Sequence, residues 1–376
     1  MIVVTLNSGS SSLKFGLYRM VVSQPEALLT GSVEGQTMKV DGRPDVRMPA
    51  ATSAAAIGAI KTLLADAQLP PPDAIGHRIV HGGPTLLSHA LIDDQVLRAL
   101  QAATALSPLH APAALAIIQL ARNAWPDIPQ VACFDTAFHA GLPDIARILP
   151  LPHALKTEGV RRYGFHGLSC ESIVRQLGDD RPRRLIIAHL GNGASVTAVR
   201  DGRSIDTSMG LTPSGGVMMG TRSGDIDPGI LIYLLREKAI DPGALEDLID
   251  HRSGLLGVSR CSGDMRLLHE AAPANPDARL AIAMFCMSVA KQIAAMMVVL
   301  DGVDTIVFTG GIGEHDAAVR GEICSRLAWT GLVIDDERNR AARNGIEAES
   351  SRCRVRVLPS QEDEQIALHA RSLAGP

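Results

Sequence analysis

The chain has 376 residues, of which 46% are hydrophobic and 20% are charged, a composition typical of globular proteins and not of disordered ones. Its length predicts about two domains. The 36 Lys and Arg residues nearly balance the 40 Asp and Glu residues, which gives a net charge of −4. This balance argues against a protein that coats nucleic acid or an anionic membrane, so any anion-binding cations must be clustered locally.

The cysteine pattern and the apolar segments predict a cytoplasmic protein. The six cysteines are widely scattered without a C-x-x-C pair, which favours reduced, mostly buried thiols over disulfides or a zinc site. The start, MIVVTLNSGSSS, lacks a basic segment and does not predict a signal peptide. The most apolar stretch, residues 280–300, contains Lys291 and Gln292. We therefore expect a buried helix there and no membrane span.

Short β-branched runs alternate with alanine-rich stretches along the chain, which predicts an α/β fold. The predicted strands are residues 2–6, 13–19, 74–80, 130–134, 185–190, 195–200, 305–309 and 354–358. The predicted helices are residues 53–68, 112–125, 168–177, 228–238, 277–300, 316–327 and 362–372.

One pattern occurs twice. Residues 3–6 form a predicted strand that runs into a small-residue turn and a second strand, and residues 186–190 do the same. A Gly/Ser turn is ordinary in a hairpin. The alternative is a duplicated domain in which each half presents a hairpin to phosphate, and the pattern alone leaves both interpretations open.

The first of these turns, Asn7-Ser8-Gly9-Ser10-Ser11-Ser12-Leu13-Lys14, combines hydroxyl groups with one cation. Backbone N–H groups in such a turn can converge on an anion, with Ser and Lys as further donors. The segment is not a Walker A loop, because it lacks the G-x-x-x-x-G-K-[ST] spacing. A polar hairpin with a solvated lysine explains it equally well.

Residues 209–228 have many Gly and Pro residues and no helical period, which predicts a long, ordered, functional loop. Its apolar residues should be buried; they are Val217, Met218, Met219 and Ile226. Arg222 lies among small residues, where its planar guanidinium can reach carboxylate or phosphoryl oxygens. An ion pair with Asp225 or Asp227 is the competing interpretation.

Three further residues lie where α/β proteins bind ligands, at the carboxyl ends of strands or before a helix. Arg78 lies in Gly76-His-Arg-Ile-Val-His-Gly-Gly83, Asp135 follows the strand that ends at Phe134, and His166 lies in Tyr163-Gly-Phe-His-Gly167. Each alone is a weak indication, since the chain contains 12 histidines.

The segment Thr309-Gly-Gly-Ile-Gly-Glu-His315 follows a strand and opens a helix. Glycines there let a base or phosphate approach the backbone at a helix N-terminus. It fails as a dinucleotide fingerprint because Asp316 occupies the third glycine position. A dehydrogenase is therefore disfavoured, whereas another kind of nucleotide binding is not.

Together these segments favour phosphoryl transfer. They supply cations, Ser/Gly turns and a few carboxylates, and no G-x-S-x-G nucleophile motif occurs. Phosphoryl transfer mainly requires alignment of donor and acceptor and neutralisation of charge. Mg²⁺ needs only one or two carboxylates, so no dense metal motif is expected. The residues alone predict an ATP-dependent phosphotransferase.

Beyond this, the sequence resembles the acetokinase family over nearly its whole length. The segments that match, in order, are 7–14, 77–83, 134–139, 163–167, 189–193, 218–228 and 309–314. The run Met219-Gly-Thr-Arg-Ser-Gly-Asp-Ile-Asp-Pro228 is the most specific of them. Departures from the family pattern occur at Ala111, Ser214-Gly215 and His315.

The resemblance implies an α/β fold with two ribonuclease-H-like domains of the sugar kinase/Hsp70/actin type and an active-site cleft between them. The N-terminal domain would comprise residues 1–134 plus 362–376, and the C-terminal domain residues 135–361. The implied reaction is reversible transfer of the γ-phosphoryl group of ATP to acetate, giving ADP and acetyl phosphate. It would require Mg²⁺, for which Mn²⁺ can substitute, and a homodimer.

The resemblance also implies roles for individual residues. The catalytic residues would be Arg78, Asp135, His166 and Arg222, with Arg78 also binding the substrate. The pocket for the acyl methyl group would be formed by Val80, Leu109 and Pro213. Magnesium would be held by Asn7 and Glu362. The nucleotide would be bound by Ser10, Ser12, Lys14, His189, Leu190, Gly191, Asn192, Gly193, Asp264, Met265, Arg266, Gly310, Gly311, Ile312, Gly313 and His315.

Two alternatives remain at this stage. A propionate or butyrate kinase would carry the same motifs, because one methylene in an apolar pocket is worth only about 1–3 kcal/mol. An Hsp70- or actin-like ATPase would hydrolyse ATP slowly without an acid acceptor. The small carboxylic acid and the nucleotide are the expected partners, and neither nucleic acid nor membrane is.

Overall fold

The computed structural model describes residues 1–9, 12–21, 24–106, 111–342 and 344–375. The chain divides into two compact units. Unit 1 comprises Met1–Ala140, His166–Ser172 and Gln361–Pro376, and unit 2 comprises Gly141–Phe165 and Ile173–Ser360. This division lies a few residues from the predicted domain boundary at 134/135 and one residue from that at 361/362. It also assigns residues 166–172 to unit 1. The predicted domain boundaries themselves stay a proposal.

The strands are β1 Ile2–Ser8, β2 Ser12–Met20, β3 Pro25–Glu34, β4 Thr37–Val40, β5 Val46–Arg47, β6 Ala74–Ile79, β7 Ala90–Leu91, β8 Gln130–Phe134, β9 Arg184–Leu190, β10 Ala194–Arg200, β11 Arg203–Thr207, β12 Thr305–Thr309 and β13 Arg354–Val357. The helices are α1 Ser53–Asp66, α2 Asp94–Ala102, α3 Ala111–Ala124, α4 Asp144–Arg147, α5 His153–Thr157, α6 Gly167–Leu177, α7 Pro228–Glu237, α8 Pro242–His251, α9 Gly254–Ser259, α10 Met265–Ala271, α11 Pro276–Leu300, α12 Gly310–His315, α13 Ala317–Arg326, α14 Asp336–Arg340 and α15 Glu362–Ala374. Short 3₁₀ segments are Ala103–Leu106, Ala137–His139, Gly178–Asp180 and Ala328–Thr330.

Unit 1 contains a mixed sheet in the order β5-β4-β3-β2-β1-β6-β8-β7. β1, β2 and β3 are antiparallel, whereas β6 and β8 continue parallel to β1. One core packs the sheet against α1 and α3 through Ile57, Ile60 and Ile117. A second core packs it against α15 through residues that include Ile366 and Ala370. Helices thus cover the parallel strands, as parallel sheets require.

Unit 2 contains a five-stranded sheet in the order β11-β10-β9-β12-β13. β9, β10 and β11 are antiparallel, and β12 and β13 are parallel to β9. The long helix α11 packs against β9 and β10, and its Phe285, Val289 and Ile293 are buried. It begins with an Asn275 N-cap followed by Pro276, a strong helix start.

The two sheets share one topology. Numbered along the chain, the strands of unit 2 lie in the order 3-2-1-4-5, and unit 1 contains the equivalent arrangement β3-β2-β1-β6-β8, with β4 and β5 added beside β3 and β7 added beside β8. In each sheet the first three of these strands form an antiparallel meander. This is the ribonuclease-H-like arrangement. The predicted α/β class with two such domains is confirmed, and the repeated strand–turn–strand pattern marks the first hairpin of each unit.

Every predicted strand and helix is present within a few residues of its expected ends. The predicted elements do not include β3, β4, β5, β7 and β11 or most of the shorter helices. The thiols of Cys133, Cys170, Cys286, Cys324 and Cys353 are buried and free, as expected, while Cys261 is exposed.

Helix α11 is long and apolar enough to cross a membrane by length and composition. The expectation of a buried helix holds for only one side of it. One side packs in the core of unit 2, whereas Leu280, Met284, Met287 and Val298 are exposed.

Candidate active site

An ion pair lies at the carboxyl ends of two neighbouring strands of unit 1. Arg78 is near the end of β6 and Asp135 follows β8, and these strands pair in parallel with Ile79 opposite Phe134. Arg78 Nη2 donates to Asp135 Oδ2 at 2.6 Å, and Nε donates to the same carboxylate at 3.0 and 3.2 Å. The Asp135 side chain is 1% exposed and that of Arg78 is 15% exposed.

The charge state of this pair follows from its surroundings. Burial opposes the charge on Arg78, but the carboxylates of Asp135, Glu362 and Asp363 outweigh it and raise the pKa of the guanidinium. Burial raises the pKa of Asp135, and the adjacent Arg78 charge opposes that rise. Arg78 is therefore a permanent cation whose orientation is fixed by a bidentate carboxylate.

A second group of polar side chains adjoins Arg78 through Asn7. Arg78 Nη1 donates to Asn7 Oδ1 at 3.3 Å, and Asn7 Nδ2 donates to Glu362 Oε2 at 3.2 Å and to Asp363 Oδ1 at 3.0 Å. Lys14 on β2 pairs with Asn7 across the hairpin. Burial raises the pKa of Asp363, while Asn7, Lys14 and Arg78 oppose the rise.

The carboxylate oxygens of Glu362 and Asp363 fit a divalent cation. Two adjacent carboxylates in the first turn of α15, Glu362 and Asp363, repel each other, and Mg²⁺ prefers one or two carboxylates plus water. The amide oxygen of Asn7 faces Arg78, so its nitrogen faces the carboxylates. Asp363 was missed by the sequence reading. The signal that could have found it is the Glu-Asp pair at a helix start.

His166 has an unusual backbone conformation just before α6. Its φ is +57°, in the left-handed region that non-glycine residues rarely adopt, and such strain is characteristic of functional sites. The next residue, Gly167, donates its N–H to the Asp135 carbonyl at 2.8 Å. A Cβ on Gly167 would lie 2.2 Å from that same oxygen. Only glycine therefore lets the His166 segment approach Asp135.

The remaining predicted residues of unit 1 lie along the same hairpin and strand end. Ser12 opens β2 and its carbonyl accepts the N–H of Gly9 at 2.8 Å. Val80 follows β6 and is buried. Ser10 and Leu109 lie outside the described residues.

In unit 2 the structure brings together the two predicted nucleotide turns. β9 and β12 are parallel neighbours with His189 opposite Thr309, so the turn that includes Leu190, Gly191, Asn192 and Gly193 and the segment that includes Gly310, Gly311, Ile312 and Gly313 begin at one sheet edge. Gly310 has φ +77°, and a Cβ there would lie 2.7 Å from the Leu190 carbonyl oxygen. His315 ends α12 and is exposed.

The predicted adenosine residues begin α10. Asp264 caps this helix and binds Arg266, with 2.6 Å between Oδ2 and Nη2. Met265 differs from its neighbours because it is buried. Gly220 connects this segment to the hairpin turn: its N–H donates to the Asn192 carbonyl at 3.2 Å, and a Cβ on it would lie 3.1 Å from the Gly263 carbonyl oxygen.

The segment from 208 to 227, described throughout, contains neither helix nor strand, as predicted. Arg222 Nη1 donates to the carbonyl of Pro213 at 3.2 Å, so these two predicted site residues are neighbours. Asp225 accepts the N–H of Gly216 at 2.7 Å, and Asp227 caps α7 through the N–H of Gly229. Both carboxylates thus hold backbone groups.

The expected burial of the loop is confirmed for Val217, Met218 and Met219 and is wrong for Ile226, which is 38% exposed. The physical reason is its neighbourhood. Ile226 lies two residues before α7, a helix of mostly apolar residues none of which is buried.

Comparison with known proteins assigns the chain to a family. The sequence pattern of the acetokinase family matches residues 2–368. The acetate kinase of Methylocella silvestris is 41% identical over 395 residues, covering 99% of this chain and 97% of the relative. The crystal structure of a propionate kinase from Francisella tularensis superposes with a TM-score of 0.93 at 36% identity and 99% coverage of each chain. That of Porphyromonas gingivalis acetate kinase gives 0.88 at 34% identity and 100% coverage of each. The chain belongs to the acetokinase family.

Proposed function

We propose that this protein reversibly transfers the γ-phosphoryl group of ATP to acetate, giving ADP and acetyl phosphate by direct in-line transfer. The observation that carries the proposal is the Arg78–Asp135 pair, which fixes a permanent cation beside the carboxylates at Asn7. Membership of the acetokinase family supports the same reaction.

The chemistry needs charge neutralisation more than proton transfer. A carboxylate is already ionised at neutral pH, so no general base is required. An oxygen of the acid forms the new bond to the γ-phosphorus as the bond from that phosphorus to the β-bridging oxygen breaks. Arg78 and Arg222 bind the acid and the phosphoryl oxygens and offset the repulsion between the two anions. His166 hydrogen-bonds the phosphoryl group, and Asp135 holds Arg78 in place.

We assign the metal to the Asn7 group, with Glu362 as the main carboxylate and Asp363 beside it. Mg²⁺, or Mn²⁺ in its place, would neutralise charge on the β- and γ-phosphate oxygens when bound. Ser10, Ser12 and Lys14 would contact the phosphates. The rest of the nucleotide would be bound by the hairpin turn after His189, the segment 310–313 and Asp264–Arg266.

We infer that the protein is a homodimer. Helix α7 has no buried residue although it reads PGILIYLLRE, and its Ile230, Ile232 and Tyr233 are exposed. In the same unit α11 exposes Met284 and Met287. Exposed apolar helix surfaces of this kind are typical of a subunit interface. The five buried thiols support a cytoplasmic location.

A propionate kinase is the second candidate, because the Francisella propionate kinase shares this fold closely. The proposed methyl pocket of Val80, Leu109 and Pro213 is apolar, and an apolar pocket discriminates weakly between acids that differ by one methylene. The identity of the acid therefore has to be measured.

The deciding experiment traps the product. Purified protein is incubated with MgATP and acetate, propionate or butyrate in turn, and the acyl phosphate is converted to a hydroxamate by hydroxylamine. We expect the highest kcat/KM with acetate. A higher value with propionate would make the second candidate correct. Hydrolysis of ATP that is unaffected by any acid, without hydroxamate, would contradict both and favour an ATPase.

A further inference from the structure

Three titratable side chains of unit 1 that the proposed reaction does not use lie together. Glu171 Oε2 lies 2.6 Å from His369 Nε2, and Glu171 Oε1 lies 3.5 Å from His89 Nε2. The two imidazole rings are 3.8 Å apart between centroids, and Gln365 Nε2 donates to Glu171 Oε2 at 3.3 Å. Burial opposes ionisation of Glu171, but the hydrogen bonds from His369 and His89 outweigh it and lower its pKa to about 2. Glu171 is thus an anion that accepts hydrogen bonds from three side chains.

The residue types suit a zinc ion, since two imidazoles and one carboxylate are common ligands and their ligand atoms lie within 4.8 Å of one another. One hydrogen bond argues against it. The backbone N–H of Phe134 donates to His89 Nδ1 at 3.0 Å, so Nδ1 carries the lone pair and Nε2 carries the proton. A protonated Nε2 cannot ligate a metal, but it can donate to Glu171.

The side chain of His89 accepts a hydrogen bond from β8 at a position where β7 is too short to do so. β7 pairs with β8 only at Ala90–Ala132 and Leu91–Val131. Beyond this pair the chain of β7 has ended, and the side chain of His89 supplies the acceptor for the N–H of Phe134. Phe134 immediately precedes Asp135, the residue that orients Arg78.

We propose that His89 is a positioning residue for phosphoryl transfer, held in its Nε2–H tautomer by Glu171 so that its Nδ1 fixes the end of β8 and thereby the Asp135–Arg78 pair. This inference rests on the proposed function. Glu171 lies on α6, which begins at Gly167, and the N–H of Gly167 donates to the Asp135 carbonyl. Glu171 therefore links α6 as well to the segment that carries Asp135. His369 lies on α15, the helix that starts with Glu362. One carboxylate therefore connects the three segments that carry Asp135, His166 and Glu362.

Two variants that both carry a side-chain amide test the two contacts of His89 one at a time. In His89→Asn the side-chain oxygen takes the place of Nδ1 and can still accept the N–H of Phe134. In His89→Gln the side-chain amide can reach the place of Nε2 and donate to Glu171, but Phe134 loses its acceptor. We expect kcat of His89→Asn within about threefold of wild type and that of His89→Gln to fall by about 10- to 100-fold, the scale of a small misplacement of a catalytic group.

Three readouts distinguish this role from simple stabilisation. The KM for ATP should stay within about twofold in both variants, because neither substitution alters a residue proposed to bind the nucleotide. The value of kcat is measured at temperatures where thermal unfolding shows each variant to be folded. Amide exchange at Phe134 should be faster in His89→Gln than in His89→Asn. The exposed His153→Asn serves as the control and should match wild type. Equal kcat in the two His89 variants, or the reverse order, overturns the proposal.

Two further measurements do not depend on enzymatic activity. The ¹⁵N shifts of His89 should show a proton on Nε2 and none on Nδ1, and the opposite tautomer would overturn the proposal. Titration of the wild-type protein with Zn²⁺ should show no stoichiometric binding at this cluster. Stoichiometric binding that is lost in His369→Ala would show that the cluster is a metal site and would overturn the proposal. Because these results do not depend on turnover, a failure of this inference is distinct from a failure of the proposed reaction.

Discussion

Arg78 and Asp135 form a bidentate ion pair in which the carboxylate is almost completely buried and the guanidinium donates a further hydrogen bond to Asn7. Arg78→Ala should lower kcat by about 10³-fold, as for other cations that stabilise phosphoryl transfer. Arg78→Lys should recover little, because an ammonium group cannot bind two oxygens in one plane. Steady-state kinetics with acetate and MgATP measure both effects. Arg19→Ala removes a surface pair with Glu26 and should keep normal turnover; near-normal turnover in Arg78→Ala would remove the basis of the proposed mechanism.

Arg222→Ala should lower kcat by a similar factor of about 10³. The loop should keep its fold, because Asp225 and Asp227 hold backbone groups through contacts that do not involve this side chain. The measurement is kcat and the KM for acetate, with the thermal unfolding temperature as a check of folding. The exposed Arg203→Ala is the control. A variant that changes only the unfolding temperature would assign Arg222 a structural role.

Glu362→Gln and Asp363→Asn test the metal assignment. Removing one carboxylate charge should raise the Mg²⁺ concentration for half-maximal rate by about 10-fold or more, the lower end of the range for loss of a metal-site partner. The rate is measured against Mg²⁺ concentration at fixed ATP. The exposed Glu349→Gln should leave the curve unchanged. If both variants also leave it unchanged, the metal binds elsewhere.

His77 makes the stability of the protein depend on pH. Burial lowers its pKa to about 4, against the opposing hydrogen bond to Gln130. Between about pH 6.5 and 4 the unfolded chain binds a proton that the folded protein does not, so stability falls as pH falls through this window. The loss should reach about 3 kcal/mol at pH 4. Urea unfolding at pH 7, 6, 5 and 4 should show this loss in wild type and not in His77→Gln.

The apolar surface of α7 should be required for dimerisation. Ile230→Asp combined with Tyr233→Asp places two charges in the proposed interface, where desolvation would be costly. Sedimentation equilibrium should shift from twice the chain mass to the monomer value near 39.8 kDa. Val46→Asp, at an exposed position of unit 1, should remain dimeric. A wild-type protein that sediments as a monomer would contradict the inference.

Much of the fold was predictable because it has strong local signals. The strands that flank the turn after Asn7 and the turn after Leu190 are apolar, and α11 has an Asn-Pro start and 25 residues of helix-forming sequence. β3 and β11 were missed because polar residues interrupt both sequences and most of their residues are not buried, so their pairing partners decide their conformation.

The candidate site was predicted less completely because some of its contacts are long-range. Arg78 and Asp135 could be selected as strand-end residues. Asp363 is separated from Asn7 by 356 positions, and Glu171 is separated from His369 by 198. Local sequence patterns can mark a single residue but do not predict which distant residue it contacts. These contacts form because α15 packs against the sheet of unit 1.

The distribution of thiols makes the protein a convenient target for a single spectroscopic label. Burial raises the pKa of Cys286 and Cys324 to about 12 and that of Cys353 to about 11, so these groups are almost entirely unreactive thiols at neutral pH. Cys261 alone is exposed among the six, and it lies three residues before Asp264. A fluorophore attached there without any mutagenesis would sit beside the proposed adenosine segment.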